Sequence, residues 1–132
     1  MTIQRSVAAR DAMNNAFEAT VGTSAKLQIR TGAQPATCAT AASGTLLCEL
    51  ALPSDWVGAS SSGATAKAGA WSGTASLSGP AAHYRIVDNA GTTCHEQGSI
   101  GLGSGDLSLD NTNIQPTQVI TIATWTTTAG NA

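Results

Sequence analysis

The adjacent pair Cys94 and His95 offers the most reactive chemistry in the chain, either as a nucleophile beside a base or as half of a metal site. Neighbouring residues of a strand point to opposite faces of a sheet, so we do not expect these two side chains to act together. A zinc site needs three or four ligands, commonly at spacings such as Cys-x2-Cys or His-x3-His, and the sequence has neither. The pattern therefore indicates structural thiols.

The cysteines are three in number, Cys38, Cys48 and Cys94. The opening residues Met-Thr-Ile-Gln-Arg contain no apolar segment typical of a signal peptide. An odd, low number of cysteines in a protein that is not secreted predicts free thiols. We expect all three to be reduced and to bind no metal. If any two were paired, Cys38 and Cys48 would be the first candidates, because ten residues can form a hairpin between them.

The acidic residues also lack the spacing of a known site. Asp106, Asp110 and Asn111 resemble part of a calcium loop, but the glycine and terminal glutamate of an EF-hand are missing. Asp110 and Asn111 are better explained as turn residues that cap backbone amides. Gly-x-Ser-x-Gly, P-loop and His-Glu-x-x-His motifs are absent. The sequence thus predicts a protein that is not an enzyme, with no catalytic, cofactor-binding or metal-binding residues.

The three tryptophans have two possible roles, as core residues or as a sugar-binding platform. Trp71 and Trp125 each continue an alternating apolar pattern, which favours the core. Trp56 follows a Pro-Ser-Asp break and is predicted at a rim or at a subunit contact.

Composition excludes several classes of protein. The chain has 132 residues, the size of one domain, of which 11% are charged, and its net charge is −2. Six scattered Lys and Arg residues do not form a nucleic-acid-binding patch. No apolar run approaches the length needed to span a membrane as a helix. Leu, Ile, Val and Phe together number 22, whereas Ala, Thr, Ser and Gly number 69. This composition predicts a thin core and a nearly uncharged surface, which favours association with other subunits.

One helix is predicted, over residues 6–21. Ser6 can act as its N-cap and Gly22 as its C-cap. We expect the helix to pack on the remainder of the domain through Met13 and Phe17, which lie on one apolar stripe.

After the helix the pattern changes to the period of two that is typical of strands. The fold class predicted is mainly β, an antiparallel β-sandwich or jelly roll with one N-terminal helix, in a single domain over residues 1–132. Seven strands are predicted, over residues 26–30, 45–52, 67–77, 82–87, 92–100, 106–109 and 118–127.

Several short segments together resemble a known family. They are Ile29-Arg-Thr-Gly32, Leu52-Pro-Ser-Asp-Trp56, Lys67-Ala-Gly-Ala-Trp71, His83-Tyr-Arg-Ile86, and Gly91-Thr-Thr-Cys-His95 followed by Gln97-Gly98. In this order they resemble a family of small virion structural proteins of tailed bacteriophages. The resemblance covers nearly the whole chain and implies a non-enzymatic component of the virion, assembled in the host cytoplasm. It leaves open whether the protein lies on the capsid, at the neck or on the tail.

These observations lead to a functional expectation. We expect a capsid decoration (cement) protein that forms a homo-oligomer and contacts other virion proteins, above all the major capsid protein. The alternatives are a neck, tail or fibre-associated structural protein, and a carbohydrate-binding module for host attachment. The segment 118–127 has no charge and suits a buried or partner-covered strand. Trp56, Val119 and Trp125 are therefore the predicted interface residues, in contacts that depend little on salt.

Overall fold

The computed structural model describes residues 3–129. Its helix, α1, runs over Val7–Val21 and confirms the predicted helix within one residue. The Ser6 hydroxyl oxygen accepts a hydrogen bond from the Ala9 amide at 3.1 Å, as an N-cap does. Gly22 ends the helix with φ at +84°, and its amide donates to the Glu18 carbonyl.

The face on which α1 packs differs from the expectation. Phe17 does pack on the core, with its ring edge-on to Trp56 at a centroid distance of 5.9 Å. The prediction for Met13 is wrong, because its side chain is 47% exposed. Asn14 is buried in its place, and its amide donates to the Gly63 carbonyl at 2.9 Å and to the Ser60 hydroxyl at 3.0 Å. The helix turns Asn14 rather than Met13 towards the domain, because the adjacent loop provides hydrogen-bond partners for polar side chains.

Asp11 completes this polar attachment. Its Oδ1 atom accepts from the Gly63 amide and from the Ser60 hydroxyl, both at 2.8 Å. We expect Asn14→Ala to lower the free energy of unfolding by about 2 kcal/mol, since it removes both hydrogen bonds of a buried amide, although the Gly63 carbonyl keeps its bond from the Ala129 amide. Met13→Ala, the matched control on the same helix, should change it by less than about 0.5 kcal/mol. Urea denaturation measures both, and equal effects would contradict polar docking.

The remaining elements within residues 3–129 are eleven strands, which confirms a mainly β fold. They are β1 (Lys26–Arg30), β2 (Leu46–Ala51), β3 (Ala64–Ala66), β4 (Trp71–Thr74), β5 (Gly79–Pro80), β6 (His83–Val87), β7 (Cys94–Leu102), β8 (Leu107–Leu109), β9 (Asn113–Ile114), β10 (Val119–Ile122) and β11 (Thr126–Thr128). A five-stranded sheet has the order β2-β1-β6-β7-β8. Three two-stranded pairs accompany it, β10 with β4, β11 with β3, and β5 with β9.

Every ladder is antiparallel except one. β8 runs parallel to β7, with Ile100 opposite Leu107, so the prediction of a purely antiparallel fold is wrong at this edge. The connection is short because Gly103 and Gly105 adopt positive φ angles of 68° and 81°. Asp106 fixes the return of the chain, since its Oδ2 atom accepts from the Ser99 amide at 2.9 Å.

The strand boundaries follow the sequence prediction with several differences. The predicted strand over 67–77 is shorter, since β4 covers 71–74 alone, and β5 and β9 were not predicted. The predicted strand over 118–127 is divided into β10 and β11, which pair with different partners. β3 lies between the predicted strands over 45–52 and 67–77, where no strand was predicted. These differences all concern short strands whose partners are distant in sequence, so local alternation could not define them.

The core lies on one face of the five-stranded sheet and is centred on the tryptophans. The ring centroids of Trp56, Trp71 and Trp125 lie 5.3–6.0 Å from one another. The placement of Trp71 and Trp125 in the core is confirmed. Trp56 is fully buried as well, so its predicted position at a rim is wrong. Its indole N–H donates to the Gly22 carbonyl at 3.2 Å, which ties the core to the end of α1.

Candidate functional site

A surface cleft lies between two strand edges, and we refer to it as the edge cleft. β8 is the outer strand of its sheet, and β10 pairs with β4 alone, in the part of the chain that the structure describes. Residues from β8, β10 and the end of β7, and from the segments that follow these strands, line a cavity of about 470 Å³. They are Leu102, Gly103, Ser108, Leu109, Asp110, Thr121, Ala123 and Thr124. An edge strand presents backbone amides and carbonyls that another strand can bind.

Exposed aliphatic side chains border the edge cleft. Leu102, which lines it, and Val119 are each 66% exposed. Val119 and Thr121 point to the same outward side of β10, since they are two residues apart on a strand. Asp110 is the one charged residue among those that line the cavity. The surface is therefore suited to apolar and backbone contacts with another protein chain.

The structure separates the three predicted interface residues. Val119 is exposed at the surface, two residues before Thr121, which lines the edge cleft, and its role in a contact stays a prediction. Trp56 and Trp125 are buried inside the chain's own core, so they offer no surface to a partner and the prediction for them is corrected. Leu102 was missed by the sequence reasoning. It stands between Gly101 and Gly103, and an apolar residue isolated in a glycine-rich segment is the signal that marks it.

The cysteines differ from the expectation. Cys38 and Cys94 form a disulfide, with their Cα atoms 5.2 Å apart, so the prediction of three reduced thiols is wrong. The suggested pairing of Cys38 with Cys48 is also wrong. Cys48 is free and buried on β2, and burial raises the pKa of its thiol. Since the Cys94 sulfur is in a disulfide, Cys94 and His95 do not form a nucleophile and base.

A buried polar group lies at the junction of β6, β7 and the tryptophan core. The Tyr84 hydroxyl donates to the Glu96 carboxylate at 2.7 Å and accepts from the Trp125 indole N–H at 3.3 Å. Burial and the nearby Glu96 charge raise the pKa of Tyr84. Burial also raises the pKa of Glu96, although the hydrogen bond from Tyr84 opposes that shift. The arrangement connects the sheet to the core and is explained by structure alone.

The raised pKa of Glu96 predicts a pH dependence of stability. The Glu96 carboxyl keeps its proton to a higher pH in the folded chain than in the unfolded chain. Protonated Glu96 therefore stabilises the fold at low pH, and this stabilisation is lost as the pH rises through the pKa of Glu96 in the folded chain. Relative to Glu96→Gln, the wild-type free energy of unfolding should therefore fall as the pH rises from about 4 towards neutrality. Urea denaturation at several pH values measures the difference.

Asp88 provides the control with the opposite sign. Hydrogen bonds from the Thr93 and Thr92 amides lower its pKa. Relative to Asp88→Asn, the wild-type chain should gain stability as the pH rises through the acidic range. If both differences in the free energy of unfolding, wild type against Glu96→Gln and wild type against Asp88→Asn, changed with pH in the same direction, the pKa shifts of Glu96 and Asp88 would be contradicted.

Among residues 3–129, no three His, Cys, Asp or Glu side chains lie close enough to hold a metal ion together. The described part of the chain has no helix of the length and apolar character needed to span a membrane. No family model, curated protein or solved structure matches the chain.

Proposed function

We propose that the protein is a non-enzymatic structural component of a tailed-phage virion, and specifically a capsid decoration protein that stabilises the capsid lattice. The edge cleft carries this proposal. It combines two strand edges, the exposed side chains of Leu102 and Val119, and a lining with a single charge. Such a surface is stabilised when another chain covers it. A sandwich or jelly-roll arrangement of the sheets is part of the same proposal.

The partners proposed are further copies of this chain and the major capsid protein. Low charge supports contacts of this kind, because apolar and backbone contacts are weakened little by salt. The resemblance of the short sequence segments to small virion proteins supports the same role. A location at the neck or tail is the alternative within that class.

The Cys38–Cys94 disulfide is a further support. Disulfides persist in oxidising surroundings, among them virion surfaces, and are rare in the reducing cytosol. A decoration protein would retain this bond on the released particle. The carbohydrate-binding alternative has no such support, since Trp56, Trp71 and Trp125 are all buried.

Self-association is tested by sedimentation of the purified protein at low and high salt. We expect an oligomer at tens of micromolar in both conditions, and Val119→Lys should dissociate it because a charge is then placed in an apolar contact. Val7→Lys, which adds the same charge to an exposed position of α1, is the matched control and should leave it intact. A monomeric wild-type chain, or equal effects of the two variants, would contradict the edge cleft as a contact between copies.

Location in the particle is tested by quantified gel electrophoresis of purified virions. Hundreds of copies per particle would support decoration of the capsid. Far fewer copies would support the neck or tail alternative, and absence from washed particles would overturn the structural role.

A further inference from the structure

The face of the five-stranded sheet opposite the core carries a row of polar side chains. Glu49, Gln28, Arg85 and Gln97 lie directly across β2, β1, β6 and β7 from one another. Gln28 donates to the Glu49 carboxylate at 2.9 Å, and Glu49 also pairs with Lys26 at 3.5 Å. The acidic end of the row is therefore already neutralised by a lysine.

The segment 31–45, called the covering loop, lies over this row. Arg85 donates to the Cys38 carbonyl at 2.7 Å and to the Thr40 carbonyl at 3.1 Å. Gln97 donates to the Pro35 carbonyl at 2.7 Å. The Cys38–Cys94 disulfide attaches the same loop covalently to β7. These contacts fix the position of the covering loop over the sheet.

A cavity of about 140 Å³ remains between the covering loop and the sheet, and Arg30 and Arg85 both line it. Arg85 is 3% exposed, and its Nη1 atom has no hydrogen-bond partner. Within residues 3–129, neither arginine has a carboxylate oxygen within 4.0 Å. Burial and the neighbouring Arg85 charge lower the pKa of Arg30. The Glu49 charge opposes this shift, and Arg85 donates to two carbonyls of the covering loop. A buried guanidinium without a contacting carboxylate is costly, so an anion in the cavity would stabilise Arg85.

We propose that this cavity is a binding site for a small oxyanion, a phosphate or carboxylate group held between Arg30 and Arg85. A guanidinium presents N–H donors in a fork that matches two oxygens of such a group. Thr40 also lines the cavity, and its hydroxyl, which otherwise contacts the Thr37 hydroxyl, can add a donor. The volume equals that of about five water molecules, which is enough for one such group. The site is distinct from the edge cleft and does not depend on the proposed virion role.

The test uses the full chain with its disulfide intact, titrated separately with inorganic phosphate and with acetate at constant ionic strength. Calorimetry gives the affinity, and the Nε–Hε resonances of the arginines report the place of binding. We expect saturable binding in the millimolar range that shifts the signals of Arg30 and Arg85. Arg30→Gln should weaken it about tenfold, since one charge-assisted contact is lost. Lys67→Gln removes an equal charge from a half-buried position outside the cavity lining and should leave it unchanged.

The two anions distinguish the source of the ligand. Saturation by phosphate alone identifies a free phosphate-like ion, whereas saturation by acetate as well identifies a carboxylate, such as one from a neighbouring protein chain. Reduction of the disulfide should weaken binding, because the covering loop is then released. The proposal would be overturned if neither phosphate nor acetate gave saturable binding, or if Arg30→Gln and Lys67→Gln weakened anion binding equally. The cavity would then hold only water.

Discussion

Replacement of Trp71 with alanine is expected to lower the free energy of unfolding by about 4 kcal/mol, within the range for large buried aromatic residues. Its ring is fully buried between Trp56 and Trp125, with centroids 6.0 and 5.3 Å away. Its indole N–H donates to the Trp56 carbonyl at 3.0 Å and to the Ala68 carbonyl at 3.1 Å. The substitution therefore leaves both a cavity and carbonyls without this donor. Urea denaturation followed by circular dichroism measures the loss.

Two further variants separate these contributions. Trp71→Phe keeps a ring but removes the donor, so its cost should lie between those of wild type and Trp71→Ala. Leu77→Ala truncates a half-exposed side chain and should change the free energy by less than about 0.5 kcal/mol. A cost below about 1 kcal/mol for Trp71→Ala would show that the core does not depend on the tryptophan cluster.

The parts of the fold that depend on nearby residues could be predicted from the sequence. Ser6 and Gly22 cap the helix because capping chemistry involves residues three or four positions away. Alternation placed Trp71 and Trp125 in the core, and it located β1 at its observed bounds. In each case the residues that determine the outcome are neighbours in the chain.

The parts that depend on distant partners could not be predicted in this way. The helix face is decided by Gly63 and Ser60, whose polar atoms meet Asn14 and Asp11 only after the chain has folded. An apolar stripe gives no information about such partners. Trp56 follows a turn, where the apolar–polar alternation of a strand does not apply. Its burial is therefore also determined by contacts with residues distant in sequence. The edge cleft was found only in part, through Val119, because Leu102 lies outside any alternating segment.

The disulfide is the most consequential feature that the sequence reasoning missed. The odd number of cysteines and the character of the first five residues favour free thiols, but neither contains information about which residues meet in the fold. Cys38 and Cys94 are separated by 56 positions and meet because the covering loop crosses the sheet. Arg85 and Gln97 bind carbonyls of that loop, so side chains on β6 and β7 determine where Cys38 lies.

Removal of the Cys38–Cys94 disulfide is expected to lower stability about as much as Trp71→Ala does. A cross-link between residues so far apart restricts the unfolded chain, and the chain-entropy relation gives about 4 kcal/mol for a loop of this length. Cys38→Ser combined with Cys94→Ser should lower the urea midpoint accordingly, and reduction of the wild-type protein should produce a similar loss. Thiol titration of the unfolded wild-type chain should find one thiol without reductant, that of Cys48, and three after reduction.

Cys48→Ala is the matched control, because it removes a cysteine and leaves the disulfide in place. Its cost should be that of one small buried side chain, about 1 kcal/mol, and should not change with reductant. Three thiols in the unreduced protein would contradict the pairing of Cys38 with Cys94. If the pairing is correct and its loss costs little, the hydrogen bonds of Arg85 and Gln97 must themselves hold the covering loop on the sheet. The disulfide would then confine a loop that is already positioned, and Arg85 would be the residue on which that position depends.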